Sequence, residues 1–267
     1  MTSNSPTDLE IAHLMADAAR LAILPYFRAS GLKAENKLKD QQSGGFDPVT
    51  VADREAETAM RDILQRLRPD DGIWGEEFGQ VAGTSGRTWV LDPIDGTRGF
   101  VSGTPTWGVL IALSDGNGPF LGMIDQPYIG ERFIGAPGVA EMTGPQGKVA
   151  LATRTTDRLD QAILYTTFPE VGTKADQAGF EAVSKQVLLT RYGMDCYAYA
   201  LVAAGQIDLV IESTLNAYDI QGPIAVVQAA GGIVTNWQGG PAHQGGRALA
   251  AANPQIHAAA LEILQAY

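Results

Sequence analysis

The chain has 267 residues and a mass of 28.3 kDa, enough to bury a core without disulfides or structural metals. It carries 19 Lys and Arg against 30 Asp and Glu, so the formal net charge is −11 at pH 7. This charge disfavours non-specific binding to nucleic acid or to anionic lipid. The apolar fraction of 45% and charged fraction of 18% exclude the disordered and fibrous classes.

Cysteine and histidine usage excludes two further kinds of site. Cys196 is the single cysteine and cannot form an intrachain disulfide. The three histidines, His13, His243 and His257, show none of the spacings typical of zinc sites, and a Ser-His-Asp triad is also disfavoured. No signal peptide pattern and no apolar run of membrane-spanning length is found. We therefore expect a cytoplasmic protein without a membrane partner.

The first helix and the loop after it are predicted from periodicity and composition. Apolar residues at helical spacing predict a helix over residues 8–29, with Pro25 expected to kink or end it. The stretch 33–48 is polar and contains glycine and proline, which indicates a mobile loop or a flexible hairpin.

The second helix is predicted from its capping signal. Thr50 and Asp53 have the spacing of a capping box, and the helix that they begin is expected to run to Arg68. Short runs with strand character follow, separated by Gly, Pro and Asp turns, and they suggest an antiparallel sheet. These runs are residues 72–75, 88–91, 107–113, 119–124 and 132–135.

The second half of the chain alternates between strand and helix patterns, which is typical of α/β proteins. Strands are predicted at 162–166, 187–191, 207–212 and 233–237, and helices at 174–184, 195–204 and 218–230. Together the two halves predict a mixed α/β fold. The Gly-Pro-Gln-Gly run at 144–147 is the expected boundary between an N-terminal lobe, 1–143, and a C-terminal lobe, 144–267.

An acidic motif follows the apolar strand pattern at 88–91. Asp92 and Asp95, with the carbonyl of Ile94 between them, can offer oxygen ligands to a hard cation such as Mg²⁺ rather than to zinc. The backbone N–H groups of Gly96 and Thr97, if they open a helix, would face a phosphate group. The alternative is that both aspartates only cap a turn after the strand.

Two further acidic stretches make the pattern specific. Gly-Glu-Glu stands at 75–77, and Tyr218-Asp219 precedes Ala-Ala-Gly-Gly at 229–232. Together with Asp-Pro-Ile-Asp-Gly-Thr at 92–97, this ordered set resembles the inositol monophosphatase family of magnesium-dependent, lithium-sensitive phosphatases, from about residue 10 to the C-terminus. The resemblance implies a layered αβαβα sandwich of the kind shared with fructose-bisphosphatases.

The resemblance also implies the composition of the site. Up to three Mg²⁺ ions, or Mn²⁺ as an alternative, would be bound by Glu76, Asp92, the Ile94 carbonyl, Asp95 and Asp219. Asp53 and Thr97 match the pair that orients and deprotonates the attacking water, with Glu76 as a further catalytic residue, and Gly96 and Thr97 would bind phosphate. From the residues alone, Asp53 could instead be an acid in the first turn of a helix. Most of these ligands lie in the N-terminal lobe, whereas Asp219 and the substrate pocket lie in the C-terminal lobe.

Three stretches concern the substrate. Residues 92–108, 125–133 and 193–199 most resemble the histidinol-phosphate phosphatases of the family. Asp195 stands where the inositol enzymes typically have a small apolar residue. Together with Glu212, it would suit a cationic amino alcohol better than a neutral polyol. Asp195 could instead be the N-cap of the helix at 195–204, and Arg98 could hold the substrate or pair with a ligand carboxylate.

We therefore expect hydrolysis of a small phosphate ester, namely histidinol phosphate in histidine biosynthesis. The alternatives are an inositol-1-phosphatase, another small-ester phosphatase of the family, or a regulatory binding protein of the suppressor type. The net charge of −11 disfavours direct binding of nucleic acid. The resemblance also implies a homodimer.

Overall fold

The computed structural model describes residues 6–36, 48–170 and 172–267. The helices are α1 (Asp8–Ile23), α2 (Val51–Leu67), α3 (Thr97–Ser102), α4 (Lys174–Ser184), α5 (Asp195–Ala203), α6 (Ala217–Ala229) and α7 (Pro254–Leu264). The strands are β1 (Glu35–Asn36), β2 (Pro48–Val49), β3 (Gly72–Gly75), β4 (Gly79–Val81), β5 (Thr88–Asp95), β6 (Gly108–Ser114), β7 (Pro119–Gln126), β8 (Glu131–Ala136), β9 (Val139–Gly144), β10 (Gly147–Ala150), β11 (Ile163–Thr166), β12 (Leu189–Tyr192), β13 (Leu209–Leu215), β14 (Ile233–Thr235) and β15 (Gly246–Ala251).

The N-terminal helices begin and end at local sequence signals. α1 ends at Ile23, so the predicted helix over 8–29 was too long, because the ring of Pro25 is incompatible with the preceding helical turn. α2 begins with the predicted capping box, in which the side chain of Asp53 accepts from the backbone of Thr50. β1 and β2 pair antiparallel, as the arms of a hairpin do. The rest of the predicted loop, residues 37–47, lies outside the described residues.

The first sheet has the strand order β10-β9-β8-β7-β6-β5-β3-β4. Its neighbouring strands are antiparallel except for β3 and β5, so the predicted antiparallel sheet needs that correction. A parallel pair requires a crossover, and here β4 and the following turn return the chain to the start of β5. Strands β4, β9 and β10 extend the sheet beyond the predicted set.

The second sheet has the order β12-β11-β13-β15-β14 and is mixed, with β11 parallel to both of its neighbours. Residues 144–147 contain the turn between β9 and β10 of the first sheet, so the chain leaves that sheet only after Ala150. The change of sheet thus comes later than the boundary expected from the Gly-Pro-Gln-Gly run. The division into lobes 1–143 and 144–267 stays a prediction.

Apolar clusters between the layers establish the αβαβα arrangement. One cluster joins α1 and α2 to one face of the first sheet, for example through Met15 and Met60. A second joins the opposite face of that sheet to α5, α6 and the second sheet. A third joins the far face of the second sheet to α4 and α7. The predicted sandwich is confirmed, and α5 and α6 form its middle layer. Within the described ranges, no helix has both the length and the apolar character needed to cross a bilayer.

Candidate active site

Three carboxylates meet where β5 ends and α6 begins. Oxygen atoms of Asp92, Asp95 and Asp219 lie within 4.8 Å of one another. The register between β5 and β6 shifts between Asp92 and Asp95, so the strand is irregular where the two acids lie. Asp219 is held by the start of α6, because its Oδ2 accepts the backbone N–H of Asn216 at 2.6 Å. Residues 124 positions apart therefore share one site only because the fold brings β5 to α6.

Two hydrogen bonds shape the Asp-Pro-Ile-Asp-Gly-Thr turn. The backbone N–H of Ile94 donates to Oδ1 of Asp92 at 3.0 Å, and Oγ1 of Thr97 donates to the Ile94 carbonyl at 3.0 Å. Gly96 has a φ of +80°, which a residue with a side chain rarely adopts, and α3 begins directly after it. The condition for a phosphate-facing turn, that residues 96 and 97 open a helix, is therefore met.

A cavity of about 540 Å³ lies over these acids. Every predicted site residue except Asp53 lines it: Glu76, Asp92, Ile94, Asp95, Gly96, Thr97, Arg98, Asp195, Glu212 and Asp219. The sequence analysis missed Thr106, Phe168 and Tyr199 as residues of this region. Tyr199 lies four residues after Asp195 on α5, and this spacing, which places two side chains on one helix face, was the signal that could have identified it.

Asp53 is fully buried on α2, outside the cavity lining. Its Oδ2 accepts both the backbone N–H and the hydroxyl of Thr50, at 2.8 and 2.7 Å, whereas its Oδ1 has no hydrogen-bond partner among the described residues. Desolvation raises the pKa of Asp53 to about 6, with smaller contributions from Glu77 and Glu76, although the Thr50 hydrogen bonds act against it. Oδ2 thus accepts the hydrogen bonds of the helix cap, and Oδ1 can accept from a further donor.

Burial, together with neighbouring negative charges, raises the pKa values of Asp92 and Asp95. Burial is the main cause for both Asp92 and Asp95, whose pKa values lie well above the usual range. The charge of Glu76 adds to the effect on Asp92, and the charge of Asp195 adds to the effect on Asp95. Such a group of carboxylates is stabilised by protons or by divalent cations. The oxygen-only donor set of Asp92, Asp95 and Asp219 fits a hard cation of the Mg²⁺ type.

Asp195 is the first residue of α5 and has a φ of +47°, a left-handed conformation that costs energy for any residue except glycine. The N-cap is Met194, and no side-chain cap hydrogen bond is present, so the alternative that Asp195 caps this helix is wrong. Instead, its Oδ2 accepts from the hydroxyl of Thr106 at 3.2 Å. A Cβ at Gly96 would lie 2.7 Å from Cγ of Asp195, so the carboxylate packs directly on the Gly96 turn.

Asp195, Glu212 and Arg98 are charged residues of the cavity lining that lie outside the proposed ligand set. Desolvation raises the pKa of Asp195 to about 6, and Thr106 and the Arg98 charge act against it. Glu212 is buried, and desolvation raises its pKa to about 7, although its Oε1 accepts from the backbone N–H and hydroxyl of Thr167 at 2.8 and 2.9 Å. The guanidinium of Arg98 lies over the Phe168 ring, 5.3 Å from its centroid.

Comparisons with known proteins agree with this geometry. The model of the inositol monophosphatase family matches residues 7–267. The chain is 41% identical over 244 residues to "Bifunctional phosphatase IMPL2, chloroplastic" of Arabidopsis thaliana, covering 88% of this chain and 67% of the relative. It is 36% identical to a histidinol-phosphatase of Streptomyces coelicolor, with 94% of each chain covered. It is 34% identical to an inositol-1-monophosphatase of Caulobacter vibrioides, covering 94% of this chain and 100% of the relative.

A solved structure is similar over nearly the whole chain. It is an inositol monophosphatase from Zymomonas mobilis, with a TM-score of 0.83, 37% sequence identity and 97% of each chain covered. The similar fold extends across all five layers, because so little of either chain is left out.

Proposed function

Because the chain belongs to the inositol monophosphatase family of phosphatases, we propose that it hydrolyses histidinol phosphate to histidinol and phosphate. The observation that carries this choice of substrate is the Asp195 carboxylate, which lines the cavity from a strained backbone position. Strain of this kind is retained where the surrounding structure needs the side chain at that place. A step of histidine biosynthesis is therefore the proposed role.

The proposed metal ligands are Glu76, Asp92, the Ile94 carbonyl, Asp95 and Asp219. Enzymes of this family are metal-dependent, typically on Mg²⁺, and up to three ions, with Mn²⁺ as an alternative, are proposed here. Bound Mg²⁺ would neutralise the carboxylates and stabilise the charge that develops on the phosphoryl oxygens. The carboxylates would exchange their retained protons for the cation, which the raised pKa values of Asp92 and Asp95 support.

Asp53 and Thr97 are proposed to deprotonate and orient the attacking water. Among the residues that the structure describes, Oδ1 of Asp53 has no hydrogen-bond partner, so it can accept a proton. A pKa of about 6 suits a base that works near neutral pH. The hydroxyl hydrogen of Thr97 is already donated to the Ile94 carbonyl. Its oxygen can therefore only accept, which would hold a water molecule by one of its hydrogens. The N–H groups of Gly96 and Thr97 are proposed to bind the phosphate oxygens.

Asp195 and Glu212 are proposed to bind the leaving group. Histidinol carries an ammonium group and an imidazole, and two carboxylates provide the matching negative charge. A neutral inositol ring has no positive charge to match these carboxylates, so it would gain less from them than histidinol does. Burial raises the pKa of Asp195, and the Thr106 hydrogen bond and the Arg98 charge offset part of that rise, so both favour its ionised form. This supports a pairing role for Arg98, with Phe168 holding its guanidinium.

Phosphate release from a panel of substrates tests the proposal. Purified protein with Mg²⁺ is assayed against histidinol phosphate, inositol 1-phosphate and a nucleotide bisphosphate. We expect the highest kcat/KM for histidinol phosphate. A preference for inositol 1-phosphate, which the Caulobacter relative makes the second candidate, would contradict the substrate while leaving the metal chemistry intact. Activity on no phosphate ester would contradict both.

A further inference from the structure

Glu57 is a fully buried carboxylate that the proposed chemistry does not use. It lies on α2, one helical turn after Asp53, and bonds to backbone atoms of the turn after β3. Its Oε2 accepts the N–H of Glu77 at 2.7 Å, and its Oε1 accepts the N–H of Phe78 at 3.2 Å. These two residues directly follow Glu76, so Glu57 holds the main chain next to a proposed metal ligand.

Arg61 completes this contact from the next turn of α2. Its Nε donates to Oε1 of Glu57 at 2.7 Å, and its Nη2 donates to the carbonyl of Gly79 at 2.5 Å. Its guanidinium also lies 5.8 Å from the centroid of the Phe78 ring. The pair therefore bonds to three successive residues, 77 and 78 in the turn after β3 and 79 at the start of β4.

The turn is built to admit this carboxylate. A Cβ at Gly75 would lie 1.9 Å from Oε1 of Glu57, so only glycine allows the carboxylate to reach the backbone of the turn. Placing an ion pair inside a protein costs desolvation energy, so a buried pair is by itself weak evidence for a role in stability. The contact is also neutral overall, because the Arg61 charge offsets that of Glu57 and adds no net charge beside the acidic site.

Glu76 is the residue that this arrangement orients. It lines the cavity and shares a side-chain hydrogen bond with Asp92, whose pKa is raised in part by that contact. We infer that Glu57 and Arg61 are positioning residues that fix the main chain at 77–79 and so aim Glu76 at the divalent cation. The inference rests on the proposed metal site, of which Glu76 is a ligand. Because a cation needs several oxygens at once, a displaced Glu76 would weaken binding without removing the site.

Calorimetric titration of the protein with Mg²⁺ tests this inference without relying on activity. Glu57→Gln keeps the volume but replaces one acceptor oxygen by an NH₂ group that faces N–H donors. We expect its Kd for Mg²⁺ to rise about tenfold, as for other residues that orient metal ligands. We also expect kcat at saturating Mg²⁺ to recover to within about twofold of the wild type, because the reacting groups are unchanged.

The matched control is Glu55→Gln, an exposed carboxylate on the same helix that accepts from the Tyr26 hydroxyl at 3.0 Å. It should leave the Kd for Mg²⁺ unchanged. A second variant, Arg61→Lys, keeps the charge but cannot reach both Glu57 and Gly79 with a planar fork, so it should raise the Kd in the same direction by a smaller factor. If Glu57→Gln does not fold, the Kd of Arg61→Lys for Mg²⁺ tests the positioning role alone.

The outcomes separate three cases. A lower melting temperature in Glu57→Gln and Arg61→Lys, with the Kd for Mg²⁺ within twofold of the wild type, would show a merely structural pair and overturn the inference. Wild-type protein that binds no Mg²⁺ would overturn the metal site and this inference together. A raised Kd in the two variants but not in Glu55→Gln supports the positioning role.

Discussion

The backbone N–H of Cys196 donates a hydrogen bond of 2.6 Å to Oδ2 of Asp95, between residues 101 positions apart in the sequence. The contact joins the first turn of α5 to the end of β5. Because Asp195 immediately precedes Cys196, the proposed substrate carboxylate and a proposed metal ligand are fixed relative to each other. The proposed recognition of the leaving group and the proposed binding of the cation would therefore be coupled through one peptide unit.

Removing one negative charge from the acid cluster should abolish activity without unfolding the protein. Asp92→Asn and Asp95→Asn keep the side-chain volume but lose a proposed cation ligand, and we expect phosphate release to fall by more than tenfold, over ~1.4 kcal/mol in the barrier. Activity is measured at saturating Mg²⁺, and circular dichroism checks the fold. The exposed α2 acid Asp62 provides the control, since Asp62→Asn should keep full activity. More than a tenth of wild-type activity in either cluster variant would contradict the ligand assignment.

Mg²⁺ should stabilise the folded protein, because it binds the assembled acids and not the dispersed unfolded chain. At about 100 times the Kd the stabilisation is ~2.7 kcal/mol, which a thermal melt detects as a rise in Tm. EDTA should reverse the rise, and Asp95→Asn should diminish it. Lithium is expected to inhibit phosphate release by competing for a divalent site. A wild-type Tm that is indifferent to Mg²⁺ up to ~10 mM would speak against the site.

Asp195→Asn should reduce activity on histidinol phosphate much more than on inositol 1-phosphate. Asparagine keeps the shape and tolerates the left-handed backbone, so the change isolates the charge. A charge-assisted hydrogen bond is worth about 1.5–3 kcal/mol, which corresponds to a ten- to hundredfold loss in kcat/KM. Inositol phosphate has no cation on its leaving group and serves as the control substrate. Equal losses on the two substrates would assign Asp195 a structural role at the Gly96 turn.

The stability of the metal-free protein should depend on pH through Glu212. Burial raises the pKa of this carboxyl to about 7, whereas an unfolded glutamate titrates near 4.3. Between about pH 4 and 7 the folded protein therefore keeps a proton that the unfolded chain has released. The stabilising contribution is complete below pH ~4 and is lost as pH rises through about 7. His13 and His257, whose pKa values burial lowers, act in the opposite direction.

Comparison with Glu212→Gln separates this effect from that of the histidines. Glutamine does not titrate and can still accept from Thr167. The free energy of unfolding of the variant, relative to that of the wild type, should therefore increase as pH rises from 5 to 8. Urea unfolding in EDTA measures the difference at each pH. Added Mg²⁺, in place of EDTA, should reduce the difference in free energy of unfolding between variant and wild type, because the cation offsets the negative charge of the site. A difference that stays constant across this range would contradict the raised pKa.

The sequence by itself determined the local features and the family. The Thr50 and Asp53 capping box and the acidic Asp-Pro-Ile-Asp motif at the end of β5 both follow from residues within a few positions of each other. The ordered acidic motifs indicated the family, which the match over residues 7–267 confirms. Such features are predictable because capping, proline geometry and turn formation depend on the nearest neighbours along the chain.

Other features depend on contacts between distant segments, and only the tertiary structure decided them. β15, with the sequence Gly-Arg-Ala-Leu-Ala-Ala, contains good helix formers, yet it is an inner strand because β13 and β14 pair with it on both sides. Whether Asp195 caps α5 or faces the cavity was open in the sequence. In the structure Met194 is the N-cap, and the Asp195 carboxylate accepts from Thr106, 89 positions away. The hydrogen bonds of Glu57 to Glu77 and Phe78 were likewise absent from any local pattern. Packing brings these partners together, and no short stretch of residues contains that information.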